Sequence, residues 1–253
     1  MILGRRNILF LVVAVIIITV IPRFVAASEY IAKKSITIPR DQIIEDDLYL
    51  YSSYSKIYGR VIGDLTAFGY DINAVGEVDG NVNLGGYRAD FYGTTSKSAR
   101  LFGYDISVGG EIDGNLIAIG NMIGIDEKTS IGRDITCYGS EITMDGSVGG
   151  RASLNGQTVV ISGIIDGDVK IEADKILIIP PAHIKGNLKY FSPREAVIEG
   201  GAIIDGEKIW KTRTGIDSDK EGISIVSIAV KILLFVIALI TGLIFIFFFR
   251  DHT

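Results

Sequence analysis

Cysteine, histidine and proline are scarce in this chain, at one, two and five of 253 residues. A single cysteine excludes a disulfide framework and any zinc site built from several cysteines. One of the two histidines sits in the last three residues, which leaves too few imidazoles for a histidine-based metal site. Basic excess is also missing: the net charge is −5 and the isoelectric point about 5.1. Proteins that hold nucleic acid present a clustered basic face, so nucleic acid is excluded as a partner. No cofactor is expected.

Glycine is plentiful, at 30 residues, and the apolar residues are gathered rather than spread. Two blocks, Ile8–Ile21 and Ile223–Phe249, hold a large share of them. The first follows Arg5 and Arg6 and precedes Val25-Ala26-Ala27, the three-part grammar of a secretory signal. Residues 1–27 are therefore read as a signal peptide cut ahead of Ser28 or as an uncleaved signal anchor. Either reading exports the chain from Ser28 onward. The second block is interrupted only by Lys231 and exceeds the roughly 20 helical residues that a bilayer core of ~30 Å requires. It reads as a transmembrane helix over 223–249, with Arg250 as its cytoplasmic stop and 250–253 as a cytoplasmic tail. A charged linker, 207–222, separates it from the exported domain, 28–206. The predicted location is the cell membrane, with that domain outside the cytoplasm.

The exported domain is a repeat, and a repeat governs the fold. Gly59-Arg60-Val61-Ile62-Gly63-Asp64-Leu65 returns as Gly76-Glu77-Val78-Asp79-Gly80-Asn81-Val82. It returns again at Gly110–Leu116 and at Gly163–Val169. Repeats start at 42, 59, 76, 93, 110, 129, 146, 163, 182 and 201, a step of 17 residues lengthened three times to 19. One column runs Ile44, Val61, Val78, Thr95, Ile112, Ile131, Val148, Ile165, Ile184 and Ile203. Others include Leu65, Ala67, Ile72 and Ala74 with their equivalents. Apolar residues two apart mark strands with one buried face, and β-branched residues suit a pleated surface. Glycine at 69, 86, 103, 120, 139 and 156 is expected at a corner, where positive φ is tolerated. Three short strands and their corners close as a stacked coil, an all-β solenoid of about ten rungs, each burying its face on its neighbours. With rungs ~4.8 Å apart, the rod is on the order of 50 Å long. Cys137 falls in an inward column and reads as core.

Other polar patterns are read as structural. Asp64, Asn81, Asn115, Asp134, Asp168 and Asn187 share one position that resembles a calcium ladder, but the 17-residue period and the missing GGxGxD signature favour turn duty. The carboxylate pairs Glu77 with Asp79, Glu111 with Asp113, and Asp166 with Asp168 read as surface charge, since acid catalysis needs a cleft that shifts one pKa. Gly93-Thr94-Thr95-Ser96-Lys97-Ser98 lacks the glycine and helix of a phosphate loop. The chain is not read as an enzyme.

Parity places Tyr51, Phe68, Tyr70, Tyr87, Phe102, Tyr104 and Tyr138 outside the core. They are read either as a stabilising stack along the rod or as a contact face for a cell-wall glycan, an envelope partner or another rod. Ile36, Ile38 and the run Glu45-Asp46-Asp47 are candidates for one end rung, Ile203 and Trp210 for the other.

The repeats at 59–65 and 65–72, Gly-x-Val-x-Gly-Asp-Leu and Leu-x-Ala-Phe-Gly-Tyr-Asp-Ile, resemble the bactofilin, or polymer-forming cytoskeletal, family from about Ser35 to Ile209. That resemblance implies a right-handed, three-sided β-helix that polymerises end to end without nucleotide and serves cell-envelope shape. Combined with the apolar termini, it resembles an exported, membrane-anchored branch. The expected function is a structural scaffold of the envelope, with self-association. The alternative is a surface module that binds through the aromatic stripe.

Overall fold

The computed structural model describes residues 28–212. The segments at 1–27, 223–249 and 250–253, with residues 213–222 of the linker, lie outside the described residues. No helix among the described residues is long and apolar enough to cross a membrane.

One coil shows how the others are built. The two-residue strand Arg60–Val61 turns through Ile62-Gly63-Asp64 into Leu65–Ala74, which bends at its middle. Farther along, the two halves of this long strand become separate strands, as in Leu116–Ile119 and Met122–Ile125. Ala99–Val108 pairs with both of these, one per half, so each coil presents three sides. Stacked coils join these sides into three ladders, and every pairing is parallel. The result is a parallel β-solenoid of about 11 turns.

Five side chains per coil point inward, at the positions of Val61, Leu65, Ala67, Ile72 and Ala74, and all five are buried there. Their equivalents form one continuous core from Ile36 to Tyr190. Burying one Val, Leu or Ile in such a column contributes about 1.5–3 kcal/mol. Bulk alternates between layers: Ala67 pairs with Leu84 and Ala74 with Phe91, so small residues make room for large ones. Thr95 takes a place in the Val61 column, and its buried hydroxyl donates to the Gly80 carbonyl at 2.5 Å. The segment that faintly matched a phosphate loop is thus an ordinary coil in register.

The ends differ from the sequence expectation. A partial coil, Ser28–Ala32 and Ser35–Ile38, precedes the ten repeats and pairs with Asp47–Ile57. At the other end the last step is 20 residues, not 19, because the corner from Ser192 to Ala196 holds one more residue than its predecessor. Ile204 therefore pairs with Ile184, while Ile203 is 51% exposed and does not belong to the inward column. The coil also runs on into the expected linker: Lys208–Thr212 is a strand paired with Leu188–Ser192.

Candidate functional site

The corner after the first long side carries the stacked glycines, and its geometry sets the surface beside it. Among the described residues a positive φ is recorded at Gly201 (106°), not at these glycines. Space is the reason for them instead. A Cβ on Gly86, Gly120 or Gly156 would lie 2.7 Å from the carbonyl oxygen of the corner glycine one coil back, where no side chain fits.

Two outward columns flank this row. On one side Tyr51, Phe68, Gly85, Phe102, Ile119 and Tyr138 follow in register. On the other, Tyr70, Tyr87 and Tyr104 form a ring stack with centroids 5.1 Å apart and planes within 6° of parallel. Tyr54 meets Tyr70 in a T-shaped contact with centroids 6.2 Å apart. All seven residues singled out in the sequence are exposed, from 42% for Phe102 to 64% for Tyr51. Phe68 lies over Gly85, where a Cβ would come within 2.6 Å of its ring. Beside the tyrosines, Arg88 bridges Asp71 at 3.4 Å and Asp105 at 3.8 Å. This corner is a ribbed strip of aromatic faces bordered by charge, a surface suited to flat apolar or sugar-like partners.

The corner before the first long side holds the aspartate and asparagine ladder. Asp47 Oδ1 accepts from the Asp64 amide at 2.8 Å, and Asp64 Oδ1 from the Asn81 amide at 2.7 Å. The same bond recurs from Asn115 to the Asp134 amide, Asp134 to Arg151, Asp168 to Asn187, and Asn187 to Glu207. The side chains serve the turn, as expected, but their partner is the amide of the next coil rather than their own backbone. Each bond ties two coils together. Asp134 also pairs with the Arg151 guanidinium at 2.9 Å, and these contacts hold its carboxyl below the ordinary value of 3.8.

Members of two of the three carboxylate pairs enter ion pairs as well. Arg60 reaches Asp79 at 3.0 Å and Glu77 at 3.7 Å, and Lys185 reaches Asp166 at 2.7 Å. Burial pushes the Cys137 thiol up to about 12, so it is not a nucleophile at neutral pH. On the second long side, burial raises the Asp90 carboxyl, and Asn73 Oδ1, one coil back in the same column, is buried without a hydrogen-bond partner.

At the ends, Ile36 and Ile38 are buried parts of the core. Ile203 faces outward, whereas Trp210 stacks on Tyr190 with centroids 6.5 Å apart and donates from Nε1 to the Ser192 carbonyl at 3.2 Å.

The sequence reading missed one feature near this end. The ammonium groups of Lys170, Lys189 and Lys211 lie 5.8, 5.5 and 5.9 Å from the centre of the Phe191 ring. Lys170, Lys189 and Ile209 also help line a groove of about 460 Å³ on the adjoining side. Following the outward columns to the last coil would have found the cluster, since it repeats no motif. No protein-family model matches the chain, no curated protein matches it, and no solved structure matches it.

Proposed function

We propose that this chain is a non-enzymatic structural rod of the cell envelope, held in the membrane by its apolar termini and self-associating end to end. The observation that carries the reading is the edge at each end. Each of the three ladders ends in a strand paired on one side only: Ser28–Ala32, Ser35–Ile38 and Ile43–Ile44 at one end, and Val197–Ile198, Ile203–Ile204 and Lys208–Thr212 at the other. An unpaired strand edge templates further pairing. Support also comes from the resemblance of the repeats to bactofilins, which implies polymerisation and a right-handed, three-sided coil. Right-handedness agrees with the general hand of parallel β connections. The apolar blocks at 1–27 and 223–249 support a membrane location, with the coil outside the cytoplasm.

End-to-end growth has a chemical logic in this reading. In strand register Lys208 follows Leu188 at one end, and Glu29 precedes Leu48 at the other. A charged residue in an edge strand discourages further pairing. A head-to-tail stack would set Lys208 next to Glu29 and neutralise both. Electron microscopy of the purified full chain in detergent tests this. Filaments are expected, with loss in Lys208→Glu and recovery in Glu29→Lys combined with Lys208→Glu. Dispersed short particles at every concentration would refute the self-associating rod.

A second reading is favoured by the tyrosine stack. An exposed ladder of parallel rings is the surface that a glycan or an envelope partner would use. Cell-wall glycan pull-down with the full chain, compared with Phe68→Ser, Tyr87→Ser and Phe102→Ser combined, tests it. Retention by both proteins alike, or by neither, removes this reading.

A further inference from the structure

We infer that the lysine cluster around Phe191 docks the last coils of the solenoid onto anionic lipid headgroups. The inference rests on the membrane-anchored reading above and adds a surface and a ligand chemistry to it.

Three ammonium groups converge on one half-buried ring, drawn from three successive coils. The ring attracts each cation through its quadrupole, but the cations repel one another. One carboxylate, Glu172, shares the column of Phe191, and its Oε2 accepts from Asn155 Nδ2 at 3.3 Å. The adjoining groove adds Asp134 and Asp168 against Arg151, so four cations meet three carboxylates in cluster and groove together, a small positive excess in a chain whose net charge is −5. Such a concentration gains most from an external anion.

Its place in the chain selects which anion. Lys211 is the penultimate residue of the last strand, and residues 213–222 are all that separate that strand from the apolar block at Ile223. Ten extended residues reach at most about 35 Å, so an anchored chain keeps this end of the coil near the headgroups. Basic residues just outside a membrane segment, with an aromatic ring among them, match the requirements of an anionic interface. One lysine near such a surface biases docking about fivefold, so three together bias it on the order of a hundredfold.

Trp210, the only tryptophan, lies beside Lys211 on the last strand and is 42% exposed, which makes it the reporter. The full chain is reconstituted in phosphatidylcholine vesicles with or without phosphatidylglycerol, each carrying brominated acyl chains that quench indole. Strong quenching is expected with the anionic lipid and weak quenching without it. Lys170→Glu, Lys189→Glu and Lys211→Glu combined should reduce the anionic signal to the neutral one. The milder triple Lys→Gln variant, with its β circular dichroism unchanged, should show an intermediate loss. Equal quenching in both vesicles, or quenching indifferent to the substitutions, would overturn the proposal. So would loss of the anionic quenching to soluble polyphosphate at a charge far below that of the lipid, which would make the cluster a site for phosphate polymers. Flotation with neutral vesicles in high salt reports the anchor separately. A chain that fails to float there lacks the anchor, yet its binding to anionic vesicles from solution still reads the cluster.

Discussion

Replacing Gly120 separates two physical reasons for a corner glycine. If the corner needed positive φ, asparagine would be tolerated far better than alanine, because its side chain is at ease in left-handed backbone. If the corner lacks room, any Cβ fails alike. At Gly120 a Cβ would lie 2.7 Å from the Gly103 carbonyl oxygen and 3.0 Å from Ile106 Cδ1. The isoleucine methyl can yield, but the carbonyl is backbone. Relief requires the two coils to part by about half an ångström, which strains the Asn121 amide bond to Tyr104 O that joins them. Overpacking of this kind costs about 1–3 kcal/mol. For a domain of this size that is a fall in Tm of about 2–12 °C. Gly120→Ala and Gly120→Asn should fall together within that range. Gly200→Ala, with nothing within 4 Å, and Gly124→Ala, whose nearest atom is 4.0 Å away, should change stability by less than about 0.5 kcal/mol. The assay is urea and thermal unfolding of the full chain in nonionic detergent, followed by β circular dichroism. Near-normal stability of Gly120→Asn beside a destabilised Gly120→Ala would refute the steric account, as would a Gly124→Ala variant as unstable as Gly120→Ala.

The same unfolding assay checks the core: Phe91→Ala, at a fully buried position, should cost about 3–5 kcal/mol. For Asp134 the folded pKa lies below its ordinary value of 3.8, so its contribution is present above that value and is lost as pH falls through the folded one. Asp134→Asn should therefore be less stable than the parent at pH 7, by under about 1 kcal/mol because the pair is exposed, and the gap should close in acid. A constant gap from pH 7 to pH 2 would count against the ion pair. Cys137 should resist iodoacetamide at pH 8 in the folded chain and react once urea unfolds it; rapid labelling of the folded protein would place the thiol outside the core.

The fold was legible because it is periodic. An inward position must be apolar in nearly every coil, so Val61, Val78 and Ile112 announce one another across the sequence. The error at Ile203 shows where that logic weakens. Both Ile203 and Ile204 fit an apolar column, and counting 19 residues from the previous repeat picks the wrong one. The Ile-x-Gly spacing of Ile165-Asp166-Gly167 and Ile184-Lys185-Gly186 would have picked Ile204 through Ile204-Asp205-Gly206. The glycine outperforms the apolar residue as a marker because backbone contact leaves it no substitute: a Cβ on Gly186 or Gly206 would meet the glycine carbonyl one coil back at 2.5 Å.

Outward positions obey no such rule, and this explains the uneven reading of the surface. Tyr70, Tyr87 and Tyr104 were visible because they recur at the constant step of 17 beside an obligatory glycine. The lysine cluster was not, because it mixes two columns: Lys170 and Lys189 share one, and Lys211 shares the other with Phe191. The coil steps between them are 19 and 20, longer than the usual 17, so no fixed spacing marks the group. In a solenoid a residue added at one corner advances every later position, so columns align only when each corner is counted correctly. The core tolerates a miscount, since a neighbouring aliphatic residue fits nearly as well. A surface cluster does not: had the last step been 19, residue 210 would pair with Phe191, and tryptophan rather than Lys211 would stand beside that ring's column.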